Sequence, residues 1–522
     1  MKMRRLSIDP FLLLIVGFAT VFLLANLGNG RLWQDEAETA VLGKNILRFG
    51  YPKAFDGVNW VNPAMPVRAG EAWTYHTWLS MYAAAASFFL FGTTTEAARL
   101  PFALMGVASV WLMYLLAKRA GPDKQFVRWS TFSLVLCVPF VLHMRQCRYY
   151  APAVLFTLWT LLAYLRFLEG CRQSRLELFC ALTLLFHSSH GVFIPVMAAL
   201  LIHFFLHRPA AQPAKKIIPL LSWLAVTTVP WIFYLDSAQH HRGTIDWREV
   251  SRHLQFYFRQ INKFVFPVIF WGAAALLWRK RFRGLFGAAG SDSRRFWQLQ
   301  GWLAAAGLLF LIFMPEQRHF RYLVFLLPTF VLLQSALWLR VVRSNALIGV
   351  PLALLLLMTD ALHHSGLSVL AAQIPAVRQQ LSSPDTRIRS FPLELIGELT
   401  HPYRGPVDAV VELLRAKGKS GETVKTPYSD HPLIFYTELK VEPLRSTEDF
   451  MKETFPEWIV LKKDWIPENF RQTPYYRKLQ ERYGELLLDA PDIPWQNRPD
   501  PGYHRFRTDR NVPRITVLRR KD

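Results

Sequence analysis

The chain has 522 residues, 52% of them hydrophobic and 14% aromatic, yet its mean hydropathy is only +0.15, so a strongly apolar part is averaged with a polar one. That composition excludes a disordered chain and a small disulfide-stapled domain. Lys and Arg outnumber Asp and Glu by 61 to 38, a formal charge of +23 that in a soluble protein points to nucleic acid, so the location of the charges has to decide the matter. The four cysteines, Cys137, Cys147, Cys171 and Cys180, show no C-x-x-C spacing and signal neither a disulfide framework nor a zinc site.

Runs apolar enough to cross a bilayer begin at residues 10–27, which follow a short basic head, lack a small-residue cleavage site and read as an anchor. Further runs lie near 97–117, 129–144, 150–168, 176–188, 191–206, 217–235, 264–278, 299–314, 322–339 and 345–361. The stretch 77–92 is apolar but short. If it lies in the membrane interface, 21 Lys and Arg fall on one set of connections and nine on the other; the positive-inside rule makes the first set cytoplasmic. The expected architecture is therefore mainly α: about eleven transmembrane helices over 1–361, an inward amino terminus, and an outer loop 28–96 containing an interface-lying helix. Residues 362–522 lack any spanning run and read as an extracytoplasmic α/β domain, with helices near 406–417 and 474–483 and strands at 422–426, 459–461 and 515–518.

Ionisable groups at a membrane boundary are costly and tend to serve a purpose. Directly after the first span comes Trp33-Gln34-Asp35-Glu36-Ala37-Glu38, three carboxylates in four residues, followed by Leu42, Ile46 and Phe49 on one helical face. The trio can supply a general base with supporting acids, and Asp35 with Glu38 is equally a helix-capping pattern. Cations gather at the same outer level: His76, Arg145 and Arg148 with Tyr149, His190, Arg318 and Arg321. Arginine forks and imidazoles at a low-dielectric surface suit a lipid-linked phosphate, although single arginines also snorkel to headgroups. No glycine-rich nucleotide cradle occurs, and the adjacent pairs His240-His241 and His363-His364 are poorly spaced for one metal. Glu36 or Glu38 can hold a divalent cation or simply cap and orient the loop; no other cofactor is indicated.

With Leu32-Trp33-Gln34-Asp35-Glu36-Ala37, His76 ahead of Phe91-Gly92, Ala98-Arg99-Leu100-Pro101, Arg148-Tyr149-Tyr150-Ala151 and Arg321-Tyr322-Leu323 in this order, residues 1 to about 340 resemble the polytopic GT-C glycosyltransferases. The resemblance is to the bacterial branch related to protein O-mannosyltransferases and lipid A aminoarabinose transferases. It implies transfer of a sugar from a polyprenyl phosphate with inversion at the anomeric carbon, with Asp35 as the base and Glu36 beside it. The residues agree independently. Nucleotide sugars are cytoplasmic and the carboxylates face outward, so the donor has to be membrane-borne. Its phosphate leaving group needs charge stabilisation from His76, Arg148 and Arg321 more than it needs a proton.

The expected function is thus a glycosyltransferase of the bacterial cytoplasmic membrane acting on a lipid, glycan or protein acceptor. The alternative is a transporter or flippase of a lipid-linked saccharide, which inverted repeats or Gly/Pro-broken spans in matching halves would support; the sequence offers no convincing internal repeat. Nucleic acid drops out as a partner, because much of the basic surplus marks orientation.

Overall fold

The computed structural model describes residues 9–208, 214–235, 246–277, 290–314, 318–364, 388–446, 449, 451–466, 469–493, 497–504 and 512–521. His240-His241 lie outside the described residues.

The chain divides into two compact units. The first comprises residues up to Ala25, Phe102–Arg145 and Tyr149–Ile396; the second comprises Asn26–Pro101, Gln146–Arg148 and Gly397–Asp522. The loop after the first helix and the carboxyl-terminal region fall in one unit.

The first unit is helical: α1 (Pro10–Leu24), most of α4 (Thr95–Ala117), α5 (Lys124–Leu136), α6 (Val138–Met144), α7 (Tyr150–Leu168), α8 (Ser174–Ser188), α9 (His190–His207), α10 (Ile218–Tyr234), α11 (Trp247–Phe264), α12 (Val268–Leu277), α13 (Ser291–Phe313), α14 (Leu327–Ser344) and α15 (Ala346–Met358). Among the described residues six helices are long and apolar enough to span a membrane, or up to eight if two bent pairs each count as one span. The reading of eleven is not reproduced. At about 1.5 Å per residue, the 13 to 15 residues of α1, α8 and α15 fall short of a hydrocarbon core of about 30 Å. Proline accounts for both bends. Between α5 and α6 the axis turns by 62° at Cys137, just before Pro139, and between α11 and α12 by 79°, just before Pro267, where the ring cannot continue the preceding hydrogen-bond ladder. Among the candidate spans α7 is the most enclosed, and α13 approaches its neighbours closely through Gly307, where a Cβ would meet Leu326 and Phe325 at 3.0 Å.

The second unit holds α2 (Gln34–Phe49), the two-stranded ribbon β1 (Val67–Arg68) and β2 (Ala72–Trp73), and α3 (Leu79–Phe91). It also contains α17 (Pro406–Lys417), α18 (Asp430–Tyr436), α19 (Pro474–Arg482) and a five-stranded sheet; α16 (Phe391–Thr400) crosses the unit boundary. The strands are β3 (Thr423–Pro427), β4 (Lys440–Leu444), β5 (Trp458–Leu461), β6 (Tyr483–Pro491) and β7 (Arg514–Arg520), in the order β4-β3-β5-β7-β6. β4, β3 and β5 run parallel, while β7 is antiparallel to β5 and to β6. Ile459, Leu461 and Leu518 on the sheet pack against Phe470, Tyr475, Tyr476 and Leu479. The helices and strands read from sequence over 406–518 all form. What the sequence did not reveal is that polar side chains of the first loop stitch it to this region: Asn29 donates to the Glu398 and His401 carbonyls at 2.9 and 3.1 Å, and Asn59 pairs with Leu439 and Val441 at the edge of the sheet.

The 13-residue α3 presents Phe89, Leu90 and Phe91 outward, 79, 68 and 60% exposed, an apolar end suited to a membrane interface and too short to cross one.

Candidate active site

The second unit brings together Asp35, Glu36, Glu38, His76 and Arg148. All three carboxylates lie on the first turns of α2, where the helix dipole favours negative charge. Their surroundings are nonetheless different.

Glu36 is fully buried. Its Oε1 accepts from Arg99 Nε at 2.9 Å and from the Cys147 amide at 2.9 Å, and its Oε2 accepts from Arg99 Nη2 at 2.8 Å and from the Trp33 amide at 3.3 Å. Glu36, and not Asp35 with Glu38, therefore reaches back to cap the helix. Arg99, equally buried, donates through Nη1 to the carbonyls of Leu27, Asn29 and Gly30 at 3.0 to 3.1 Å. One ion pair thus holds the helix start, the loop before it and the returning segment Gln146–Arg148. That segment also accepts the Trp33 indole N–H on Gln146 at 2.8 Å. In the sequence Arg99 stands only within the Ala98-Arg99-Leu100-Pro101 motif; its solitary charge near the start of the apolar run at 97–117 is the signal for a buried partner.

Glu38 accepts from Arg148 Nη1 at 2.7 Å, with His76 Nε2 at 3.6 Å. Arg148 also donates to the Asp35 carbonyl at 3.2 Å and to Thr39 Oγ1 at 3.0 Å, and its Nη2 lies 3.0 Å from His76 Nε2. Burial opposes the charge on Glu38, but the Arg148 guanidinium, and after it the His76 and His431 imidazoles, outweigh burial and hold the carboxyl below its ordinary range. The His76 ring packs on Tyr75, with centroids 4.3 Å apart, and remains about one-third exposed.

Asp35 is half-exposed at the same helix start. Three residues from the carboxyl-terminal region surround the helix as well. Gln34 Nε2 donates to Asp430 Oδ1 at 2.6 Å, His431 contacts the Gln34 carbonyl at 3.3 Å, and the Tyr436 hydroxyl accepts from the Leu32 amide at 3.0 Å. Burial pushes the Tyr436 phenol up to about 12, so it stays a neutral hydrogen-bonding group. Sequence reasoning missed these residues, since nothing local to Asp430, His431 or Tyr436 reports a partner some 400 positions away. Burial, reinforced by the Glu36 charge, pushes the Cys147 thiol far up and removes it as a nucleophile.

The other expected phosphate-binding residues belong to the first unit. Arg145 Nη1 donates to the carbonyls of Phe22 and Leu23 at 3.1 and 2.8 Å, tying down the carboxyl end of α1. Tyr149 precedes α7 and packs on Tyr150, and His190 opens α9 against Phe186. Arg318 is exposed, and Arg321 lies over the Tyr322 ring at 5.6 Å. Among the described residues no three His, Cys, Asp or Glu side chains converge to hold a metal ion.

By fold the chain combines a helical unit, with helices long and apolar enough to span a membrane, and an α/β unit. A family model described as dolichyl-phosphate-mannose-protein mannosyltransferase matches residues 75–234. The crystal structure of ArnT from Cupriavidus metallidurans bound to undecaprenyl phosphate is similar with a TM-score of 0.58 at 13% identity, covering 98% of this chain and 98% of that chain. The apo form of the same ArnT gives 0.54 at 13% identity, covering 98% and 97%. No curated protein matches the sequence.

Two outcomes follow from the ion pairs. Glu36→Gln leaves a buried guanidinium without its counter-charge and lowers stability in detergent by about 3–5 kcal/mol, whereas Asp35→Asn at the half-exposed position changes it by about 0.5 kcal/mol or less; denaturant titration of both variants checks this. The second concerns pH. Because the Glu38 carboxyl sits below its ordinary value, the stability it adds is complete above the unfolded value of about 4.3 and is lost as the pH falls through the folded one. The stability gap between wild type and Glu38→Gln should be widest at neutral pH and close under acid, as read from paired melting curves.

Proposed function

We propose that this chain is a membrane glycosyltransferase that moves a sugar from a polyprenyl-phosphate donor to an acceptor hydroxyl on the outer face of a bacterial cytoplasmic membrane. The observation that carries the reading is the sorting of the three carboxylates. Glu36 and Glu38 are consumed by Arg99 and Arg148, while Asp35, at the same helix start, is half-exposed. A general base has to reach the hydroxyl it deprotonates, and Asp35 is the member of the trio that solvent reaches. The similarity to ArnT bound to undecaprenyl phosphate supports a donor of that kind.

In this mechanism Asp35 takes the proton of the acceptor hydroxyl as its oxygen attacks the anomeric carbon. The bond from that carbon to the phosphate oxygen breaks with inversion, and its electron pair leaves with the polyprenyl phosphate. His76 and Arg148 stabilise the departing phosphate charge. Glu36 is a positioning residue, fixing the helix that carries Asp35, and Glu38 supports Arg148 and His76. The amino terminus is cytoplasmic and the carboxyl-terminal region extracytoplasmic.

Asp35→Asn should lower sugar transfer by about a hundred-fold to ten-thousand-fold in membranes supplied with a polyprenyl-phosphate sugar, with the melting temperature unchanged. Wild-type transfer rates in that variant would remove Asp35 as the base. Orientation is read separately. Cys171 is exposed on a connection assigned to the cytoplasm, so it should resist an impermeant maleimide in intact cells and react once they are opened, whereas a cysteine at exposed Val58 should react in both.

A further inference from the structure

The carboxyl-terminal sheet contains a topological switch point. From the end of β3 the chain passes through α18 to β4 on one side, and from the end of β5 it leaves towards β6 and β7 on the other. Open α/β sheets bind ligands in the crevice outside the carboxyl ends of two such strands. In this sheet the loop after β3 is Tyr428-Ser429 and the residue after β5 is Lys462.

Three features of that place are those of a built site. Tyr428 and Ser429 both take positive φ, 37° and 72°, a conformation that side chains other than glycine adopt only when their surroundings hold them there. Lys462 is 4% exposed, and among the described residues its ammonium makes one hydrogen bond, to Ser429 Oγ at 2.9 Å. The neighbouring buried Lys425, by contrast, is retired by two acceptors, the Lys452 carbonyl at 3.2 Å and Thr454 Oγ1 at 2.9 Å. The third feature is an acceptor atom in the opposite condition. Gln34, whose Nε2 is bonded to Asp430, keeps a buried Oε1 that receives no hydrogen bond among the described residues. Lys462 and Gln34 are thus anchored on the adjacent residues Ser429 and Asp430, one with donors to spare and the other with an acceptor to spare.

The pairing selects the ligand. An anion could satisfy Lys462 but not the Gln34 oxygen, whereas a hydroxyl group both donates and accepts. Charge argues the same way, since the Asp492 and Asp430 carboxylates already act on the Lys462 ammonium, while burial draws it down to about 8. At the rim the half-buried Tyr428 and Trp465 rings lie nearly parallel, 15° apart with centroids at 6.4 Å, offering flat apolar faces of the kind that receive the C–H side of a sugar ring.

We propose that the switch point between β3 and β5 is a saccharide-binding subsite, in which Lys462, Gln34 and Ser429 hydrogen-bond the hydroxyls and Tyr428 with Trp465 stacks on the ring of a carbohydrate-bearing acceptor. The inference rests on the glycosyltransferase reading for the word acceptor and on this geometry for the rest. Because Gln34 immediately precedes Asp35, a sugar held there is tied by one side chain to the helix start that carries the base.

The test uses the full chain in detergent with methyl glycosides of glucose, mannose and N-acetylglucosamine as probes and inorganic phosphate as the competing anion, read by saturation-transfer NMR alongside the melting temperature of each variant. At least one glycoside should bind to wild type and equally to Asp35→Asn. Its affinity should fall about tenfold in Lys462→Met and in Trp465→Leu, the second of which alters only a half-exposed ring and leaves the core intact. Absence of glycoside binding, binding that survives both substitutions, or displacement by phosphate would overturn the subsite. Sugar transfer by a protein that binds no glycoside sinks this inference alone, and glycoside binding by a protein that transfers nothing sinks the glycosyltransferase reading alone.

Discussion

The second unit depends on the ion pair between Glu36 and Arg99. Both groups are buried, and such a pair is sustained only when every remaining donor and acceptor is met. That condition is fulfilled: Glu36 takes two backbone amides besides the guanidinium, and Arg99 spends its outer nitrogens on the carbonyls of the loop at 27–31. The pair therefore fixes four pieces of chain that are distant in sequence: the loop, the start of α2, the start of α4 and the three residues Gln146–Arg148. Replacing it with apolar groups would leave those amides and carbonyls without partners, so its cost is bound up with backbone order and not with charge alone.

Once that framework is set, the three clustered carboxylates cannot be equivalent. Helical geometry turns Asp35, Glu36 and Glu38 to different directions of α2, about 100° per residue. Glu36 meets Arg99 and Glu38 meets Arg148, each in a buried place. Asp35 is left in contact with solvent. A group of acids that looks redundant in sequence is separated by a single helical turn into two buried, ion-paired members and one that solvent reaches.

The parts of this organisation that could be read from sequence are those encoded locally. Apolar runs mark membrane helices, and the periodicities over 406–518 mark their strands and helices. Span number is less legible, because hydropathy does not register the prolines that break α5 from α6 and α11 from α12, nor the shortness of α1 and α15. The carboxylate cluster was visible, but the role of each member was not, since that role is set by Arg99 some 60 residues on and Arg148 some 110 residues on. Least legible was the union of the first loop with the carboxyl-terminal region. It rests on amide side chains such as Asn29 and Asn59, which carry no period, and on separations of about 370 residues.

That union changes how the carboxyl-terminal region is understood. The carboxyl-terminal region does not stand apart from the first loop: α18 packs along α2 and Asp430 joins Gln34 on one side to Arg445 on the other. The strained turn at Tyr428-Ser429 lies immediately before Asp430, so the end of β3 and the start of α2 are linked by a turn and two hydrogen-bonded side chains. Any ligand that altered the turn would bear on the helix start directly, without a long relay through the core. The physical requirement for coupling between two places is a shared element whose position both influence, and in the second unit that element is the amino-terminal turn of α2.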